Sequence, residues 1–369
     1  MKLNRAKFFR STEALQLGFM PGSGCAPLVY AKEYGLFAKY GLEVELSREA
    51  SWAHIRDKVI NGELDAAQAP ATLPFLANLG LDSDPCSCVS AMVLSLQGSA
   101  ITISRQLWEE GVRDLPTLRQ YIHERWGKHT LTIGAGFAYS PEAFVLRDWL
   151  ASGGIDPETQ VRIVPVPPEQ MYAILKLGYL DGFCGCEPWN SVAVEAGSGI
   201  CVATGGELAP LYPETVLIVR QSFAAGQTSQ HERLVAALLE ACAACDLPET
   251  RLLLCDLLSH RQYVNAPPGD LKAGLVGPFQ LREGDFGNAR DLAIFHQHEA
   301  NSPTDQKAAW IIDHLYQLLT ARSPQGRPYE RAPILKNIFR LDTFGRARML
   351  VREQPVEAAL PRKEAAIMV

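Results

Sequence analysis

Val93-Leu-Ser-Leu-Gln-Gly-Ser-Ala-Ile-Thr-Ile-Ser104 is a strand-forming stretch interrupted once, at Gly98. The runs Val93–Leu96 and Ala100–Ser104 flank a residue that can turn the chain sharply, which suits a strand path leaving one sheet for another. A second run, Thr215–Val219, reads as the path back. One crossing out and one back insert a second α/β lobe into the first. Lobe I is then 1–95 and 218–369, and lobe II is 96–217. Two lobes joined by two crossings can hinge around a cleft, where such architectures hold ligands.

Outward from the first crossing, Leu15–Phe19 is a strand ending in the turn residues Pro21-Gly-Ser-Gly24. A helix follows over Ala26–Tyr34, broken at Gly35, with a short piece Leu36–Tyr40. Gly41–Leu46 alternates apolar and acidic residues, His54–Asn61 is helical, and Asp65–Ala69 is a strand of small residues. That order predicts a mostly parallel sheet covered by helices. The pattern restarts in lobe II with helix Leu115–Arg125, strand Thr130–Gly134 and helix Pro141–Ser152 closed by Gly153-Gly154. Strand Val161–Val166, helix Pro168–Lys176 and strand Gly182–Cys186 complete it. Beyond Phe223 the chain reads mainly helical (Arg233–Ala244, Thr250–Leu258, Ala308–Thr320), and Glu353–Val369 reads as an exposed tail.

The chain has 369 residues, 47% of them hydrophobic, enough for two cores. No run reaches the roughly 18–20 apolar residues of a spanning helix, which argues against membrane insertion. With 41 acidic and 35 basic residues the net charge is −6, which argues against direct nucleic-acid binding. Met1–Arg10 is basic but lacks the apolar run of about 7–15 residues that an export signal needs. Nine cysteines suit a reducing compartment, and an odd number cannot all pair within one chain. A cytoplasmic protein is the expectation; a different start site would make it periplasmic.

Five segments, in order, carry a resemblance: Ala26-Pro-Leu-Val-Tyr-Ala-Lys-Glu-Tyr-Gly-Leu-Phe-Ala-Lys-Tyr-Gly-Leu42, Ser51-Trp-Ala-His-Ile-Arg-Asp57, Gly62-Glu-Leu-Asp-Ala-Ala67, Trp149-Leu-Ala-Ser-Gly-Gly-Ile-Asp156 and Cys186-Glu-Pro-Trp-Asn190. Together they resemble the nitrate-, nitrite- and bicarbonate-binding family of ABC-transporter solute-binding proteins, which includes cytoplasmic nitrate/nitrite sensors. The match runs from about Leu15 to Val219, with a weaker echo from Ala300 to Trp310. It implies an α/β, two-lobed type II periplasmic-binding-protein fold and no catalysis. It also implies a small-molecule or small-anion ligand, and an ABC permease and ATPase or a cytoplasmic regulatory protein as partner. No cofactor is implied beyond an unassigned cation beside the ligand.

In nitrate-binding members the pocket uses Trp, Gln, His and Lys. The resemblance places Trp52 at the Trp, Ser99 at the Gln, Glu142 at the His and Thr215 at the Lys. A small anion in a closed cleft needs charge-assisted donors, so these changes leave a second reading open: a neutral or cationic nitrogenous solute. Trp52 would stack on the ligand and the others would hydrogen-bond it. Gln68 joins them because it ends a strand, where open α/β sheets place ligands. Glu187, at another strand end, either accepts from the ligand or caps the next helix. The pairs Cys184/Cys186, Cys86/Cys88 and Cys242/Cys245 read as buried thiols, with Cys25 and Cys186 facing the cleft. His296-Gln-His298-Glu299 reads as an exposed loop. A third reading, a metal enzyme like those of thiamine-pyrimidine synthesis, shares the fold but has no motif here.

Overall fold

A computed structural model describes residues 14–282, 284–289, 292–322 and 337–353. Strands β1 (Leu15–Phe19), β2 (Val44–Arg48) and β3 (Ala66–Pro70) pair in parallel, β1 lying between the other two. Each is linked to the next by a helical crossover, the connection a parallel pair requires. The helix Trp52–Asn61 starts where the Ser51 hydroxyl accepts the His54 N–H, and it stops at Gly62 with φ 83°.

β4 (Cys88–Gln97) closes this sheet and β5 (Ser99–Ser104) opens a second one, with Gly98 between them at φ 109°. Only glycine takes that backbone readily, so the crossing is written in one residue. The second sheet adds β6 (Thr132–Ala135), β7 (Arg162–Pro165), β8 (Gly182–Cys186) and β9 (Gly199–Thr204). β10 (Pro213–Arg220) then returns to the first sheet, between β3 and β4. The hairpin of β11 (Phe279–Leu281) and β12 (Asp285–Gly287) stands apart, and β13 (Ala293–Ile294) edges the first sheet beside β4.

The sheets run β13-β4-β10-β3-β1-β2 and β7-β6-β8-β5-β9. Both hold a parallel trio flanked by an antiparallel strand. The sheets are therefore mixed, and the parallel character expected throughout is confined to β1–β3 and β6–β8. The two-lobed α/β fold with the second lobe inserted in the first is what the chain adopts.

Two corrections concern elements. β9 and helix Trp189–Glu195 occupy residues without a sequence assignment, and the three short strands β11–β13 interrupt the region read as helical. β9 is buried at every position, so it lacks the alternation that marks a half-exposed strand. The N-terminal decapeptide lies outside the described residues. So does the tail read over 353–369, save Glu353, which ends the helix Leu341–Glu353.

The largest core joins Leu17, Phe19, Leu28, Met92 and Leu217 to the long helix Thr228–Cys245. A second cluster packs Ile55, Phe75, Val216 and Ile311 with Phe144 of the inserted lobe. No helix among the described residues is long and apolar enough to cross a membrane.

Candidate functional site

Parallel strands expose the starts of their following loops and helices at one edge, and both sheets turn that edge toward the same space. β1 contributes the loop Met20 to Gly24, β3 ends with Gln68 and Pro70, and helix Trp52–Asn61 begins with Trp52. From the inserted lobe come Glu142, in the first turn of helix Pro141–Ser152, and Pro168 and Cys186. The crossings supply Ser95, Gln97, Gly98, Glu214 and Thr215. The cavity they line holds about 30 Å³, room for roughly two to three water-sized groups.

The lobes touch around it. The Ser23 N–H donates to the Glu187 carbonyl at 2.7 Å, and the Trp189 indole N–H to the Pro21 carbonyl at 3.1 Å. Arg48 of β2 meets Glu169 of the inserted lobe at 2.5 Å. The cleft is closed.

Gln68 is fixed by its own backbone neighbourhood: its Oε1 accepts the Met20 N–H at 3.1 Å, which leaves the amide N–H groups on the other side. An added Cβ at Gly24 would sit 3.0 Å from that amide nitrogen, so glycine here keeps the loop clear of it. Thr215 shares a hydrogen bond with Ser95 at 2.7 Å. Trp52 is 9% exposed. Its indole N–H has no hydrogen-bond partner among the described residues, and neither has the buried Ser23 hydroxyl or Glu214 Oε2. Three orphaned polar atoms in one small cavity mark a place meant for a ligand or water.

Glu142 Oε1 accepts the Gly136 N–H at 3.2 Å, and both its carboxyl and that of Glu214 belong to the cavity lining. Burial first, then the charge of Glu142, push Glu214 well above the ordinary carboxyl range. Burial also raises Glu142, opposed by hydrogen bonds from its own backbone, Ser140 and Gly136. Burial and the neighbouring carboxyl both favour the neutral form of Glu214. Tyr212, also buried, shares a hydrogen bond with the Ser99 hydroxyl at 2.6 Å.

Of the six residues singled out by sequence, Trp52, Gln68, Glu142 and Thr215 line the cavity together. Ser99 stands behind it, against Tyr212. Glu187 turns away: its Oε2 accepts the Ser191 hydroxyl at 2.5 Å and the Ser191 N–H at 3.4 Å in the first turn of the next helix. Of its two open roles, that is the helix-capping one. Burial pushes its pKa up to about 7, against the Ser191 hydrogen bonds. Cys186 lines the cavity, whereas Cys25 lies fully buried in the lobe I core.

Sequence reasoning missed Glu214 and Ser23. Ser23 had a signal in the loop at the end of β1. Glu214 was hidden by its neighbour Thr215, since adjacent strand residues ordinarily face opposite sides. Here the β4–β10 register shifts between Pro213 and Thr215 and again after Thr215, and both residues reach the cavity. No Lys, Arg or His is among the lining residues. Among the described residues no group of three or more His, Cys, Asp or Glu is placed to hold a metal ion. All nine cysteines are free. The histidine loop is exposed over residues 296–299, as expected, and the His296 ring bonds Asn301 at 2.7 Å.

The NMT1-like family model matches residues 10–259. The nitrate import ATP-binding protein NrtC of Synechocystis is 37% identical over 338 residues, covering 90% of this chain and 49% of that protein. The chain thus spans about half the length of the first curated relatives it matches. The nitrate/nitrite binding protein NrtA of Nostoc is 33% identical over 309 residues, covering 82% of this chain and 70% of its own. The crystal structure of the periplasmic nitrate-binding protein NrtA from Synechocystis superposes with a TM-score of 0.82 at 25% identity, over 92% of this chain and 89% of that one. With this topology on the page, the match over residues 10–259 makes the chain a member of the NMT1-like family, similar over most of its length to nitrate/nitrite binding proteins.

Proposed function

We propose that the chain captures a small polar solute between its lobes on behalf of an ABC import system, with a permease and ATPase as partners. The observation that carries the reading is the closed cavity of about 30 Å³ with three orphaned polar atoms on its wall. Its size suits a planar solute of about four heavy atoms, the shape of the ions that name the relatives. Lobe I is taken as 1–95 and 218–369, lobe II as 96–217. Trp52, Gln68, Glu142 and Thr215 contact the solute, joined by Ser23 and Glu214. Ser99 acts through Tyr212, and Glu187 holds the start of the helix that carries Trp189.

A cytoplasmic place of work, as a solute sensor beside the import machinery, is supported by nine free thiols and by likeness to a protein named for ATP binding. The relatives are named for binding and import, which supports binding without catalysis.

The test is a thermal-shift screen over nitrate, nitrite, bicarbonate and small nitrogenous solutes. A true ligand at about a hundred times its Kd adds roughly 2.7 kcal/mol of stability. Gln68→Leu removes the amide facing the cavity and the acceptor of the Met20 N–H, so it lowers stability by about 1–3 kcal/mol and abolishes the shift. A solute that stabilises both proteins equally binds elsewhere and contradicts the reading.

A further inference from the structure

The cavity wall is divided by chemistry. Trp52, Gln68 and Ser23, all from lobe I, bring an indole N–H, an amide N–H and a hydroxyl. The inserted lobe and the return crossing bring the Glu142 and Glu214 carboxyls, and Glu142 Oε1 and the Trp52 indole nitrogen both lie within 3.1 Å of where a Cβ on Gly136 would sit. The orphaned atoms are of both kinds: the Trp52 N–H, which can only donate, and the carboxyl oxygen Glu214 Oε2.

An anion would satisfy the donors and leave two carboxyls facing it, with no Lys, Arg or His in the lining to recover its desolvation. A cation would satisfy the carboxyls and leave the Trp52 N–H buried and unpaired. A neutral planar molecule with a carbonyl at one end and N–H groups at the other satisfies both sides at once. We propose that the cleft selects a small neutral amide of the urea class, its carbonyl accepting from Trp52 and Gln68 and its N–H groups donating to the Glu142–Glu214 pair. Burial and the neighbouring carboxyl favour the neutral form of Glu214, which lowers the charge the ligand must face. The size fits: urea is planar with four heavy atoms, as is nitrate, which names several of the relatives. The inference rests on the capture reading above and deepens it.

The probes are urea, acetamide, guanidinium chloride and the sodium salts of nitrate, nitrite and bicarbonate, each at millimolar concentration with matched sodium chloride controls. Urea at that level is far below the molar range in which it unfolds proteins. Calorimetric titration of the full chain should show saturable binding of urea or acetamide. Trp52→Phe keeps the ring and removes the N–H, and should weaken that binding about tenfold, as the loss of one neutral hydrogen bond predicts. The double variant E142Q/E214Q keeps the shape and removes the acid pair. It should weaken urea by at least tenfold while nitrate, formerly repelled, gains. Melting of each variant without ligand establishes that it is folded.

Binding of guanidinium alone, or of one of the anions alone, overturns the amide assignment and leaves solute capture standing. Urea binding undiminished in both variants overturns it as well, since the two walls would then not be used. If no probe of any class binds, capture and assignment fall together.

Discussion

Burial makes the Glu187 carboxyl harder to ionise than a free one. Burial lifts its carboxyl to about 7, against the hydrogen bonds from Ser191 that favour its charged form. A folded-state pKa above the unfolded one means the native chain keeps a proton that the unfolded chain has released. Stability is then greatest below about 4.5 and falls as pH rises towards about 7. The shift corresponds to about 3 kcal/mol over that window. Glu187→Gln, whose amide oxygen can still accept from Ser191, should lose that part of the slope in thermal unfolding measured from pH 4.5 to 7.5. Equal slopes in the two proteins would show that Glu187 is not held neutral. Residue identity made several of these groups legible. Trp52 was visible in its motif, Gln68 at its strand end and Glu142 at the head of its helix. Glu214 was not, because the bulge that turns it inward belongs to the pairing of two distant strands and leaves no mark on its own neighbourhood.

Elements with a strong local signal lie where the sequence puts them. Helices Pro141–Ser152 and Pro168–Lys176 and strand β8 have the expected bounds, because proline starts and glycine punctuation act locally. β4 is a different case. It runs from Cys88 to Gln97, starting five residues before the expected Val93, with all ten residues buried, so neither alternation nor a polar boundary announces its start. β13 has two residues and is held from outside. Asp246, just beyond helix Thr228–Cys245, accepts the N–H groups of Phe295, His296 and Gln297 at 2.7–3.1 Å and pairs with Arg251 at 2.8 Å. Arg251 in turn donates to the Ala293 carbonyl at 2.6 Å. Such an anchor has no sequence signature, since its partners are about fifty residues away. Asp246→Ala should lower stability by about 3–5 kcal/mol, because it strands a buried guanidinium and three N–H groups. A loss under 1 kcal/mol in equilibrium unfolding would mean the segment is held by something else.

At the scale of the whole molecule the two lobes form one ligand-sized enclosure. Of the ties at its mouth, Ser23 to Glu187 is backbone to backbone and independent of side-chain identity, whereas Trp189 to Pro21 needs the indole N–H. On the flank, His314 of helix Asp305–Arg322 reaches Asp148 of the inserted lobe at 2.9 Å and stacks on Phe144. The insertion of one lobe in the other was legible from two crossings. The closed cleft was not, because it depends on contacts between residues more than a hundred positions apart. Gly136 gives the most direct handle on it. An added Cβ there would lie 2.4 Å from Glu142 Oε1 and 3.1 Å from the Trp52 indole nitrogen, so Gly136→Ala pushes into the enclosure from its wall. The deciding measurement is calorimetric titration of the wild type and Gly136→Ala with the same set of small solutes. The account predicts one saturable site in the wild type, with one solute per chain, and its loss in Gly136→Ala while that variant remains folded. Identical binding in the two proteins would place the ligand outside the cleft and contradict the account.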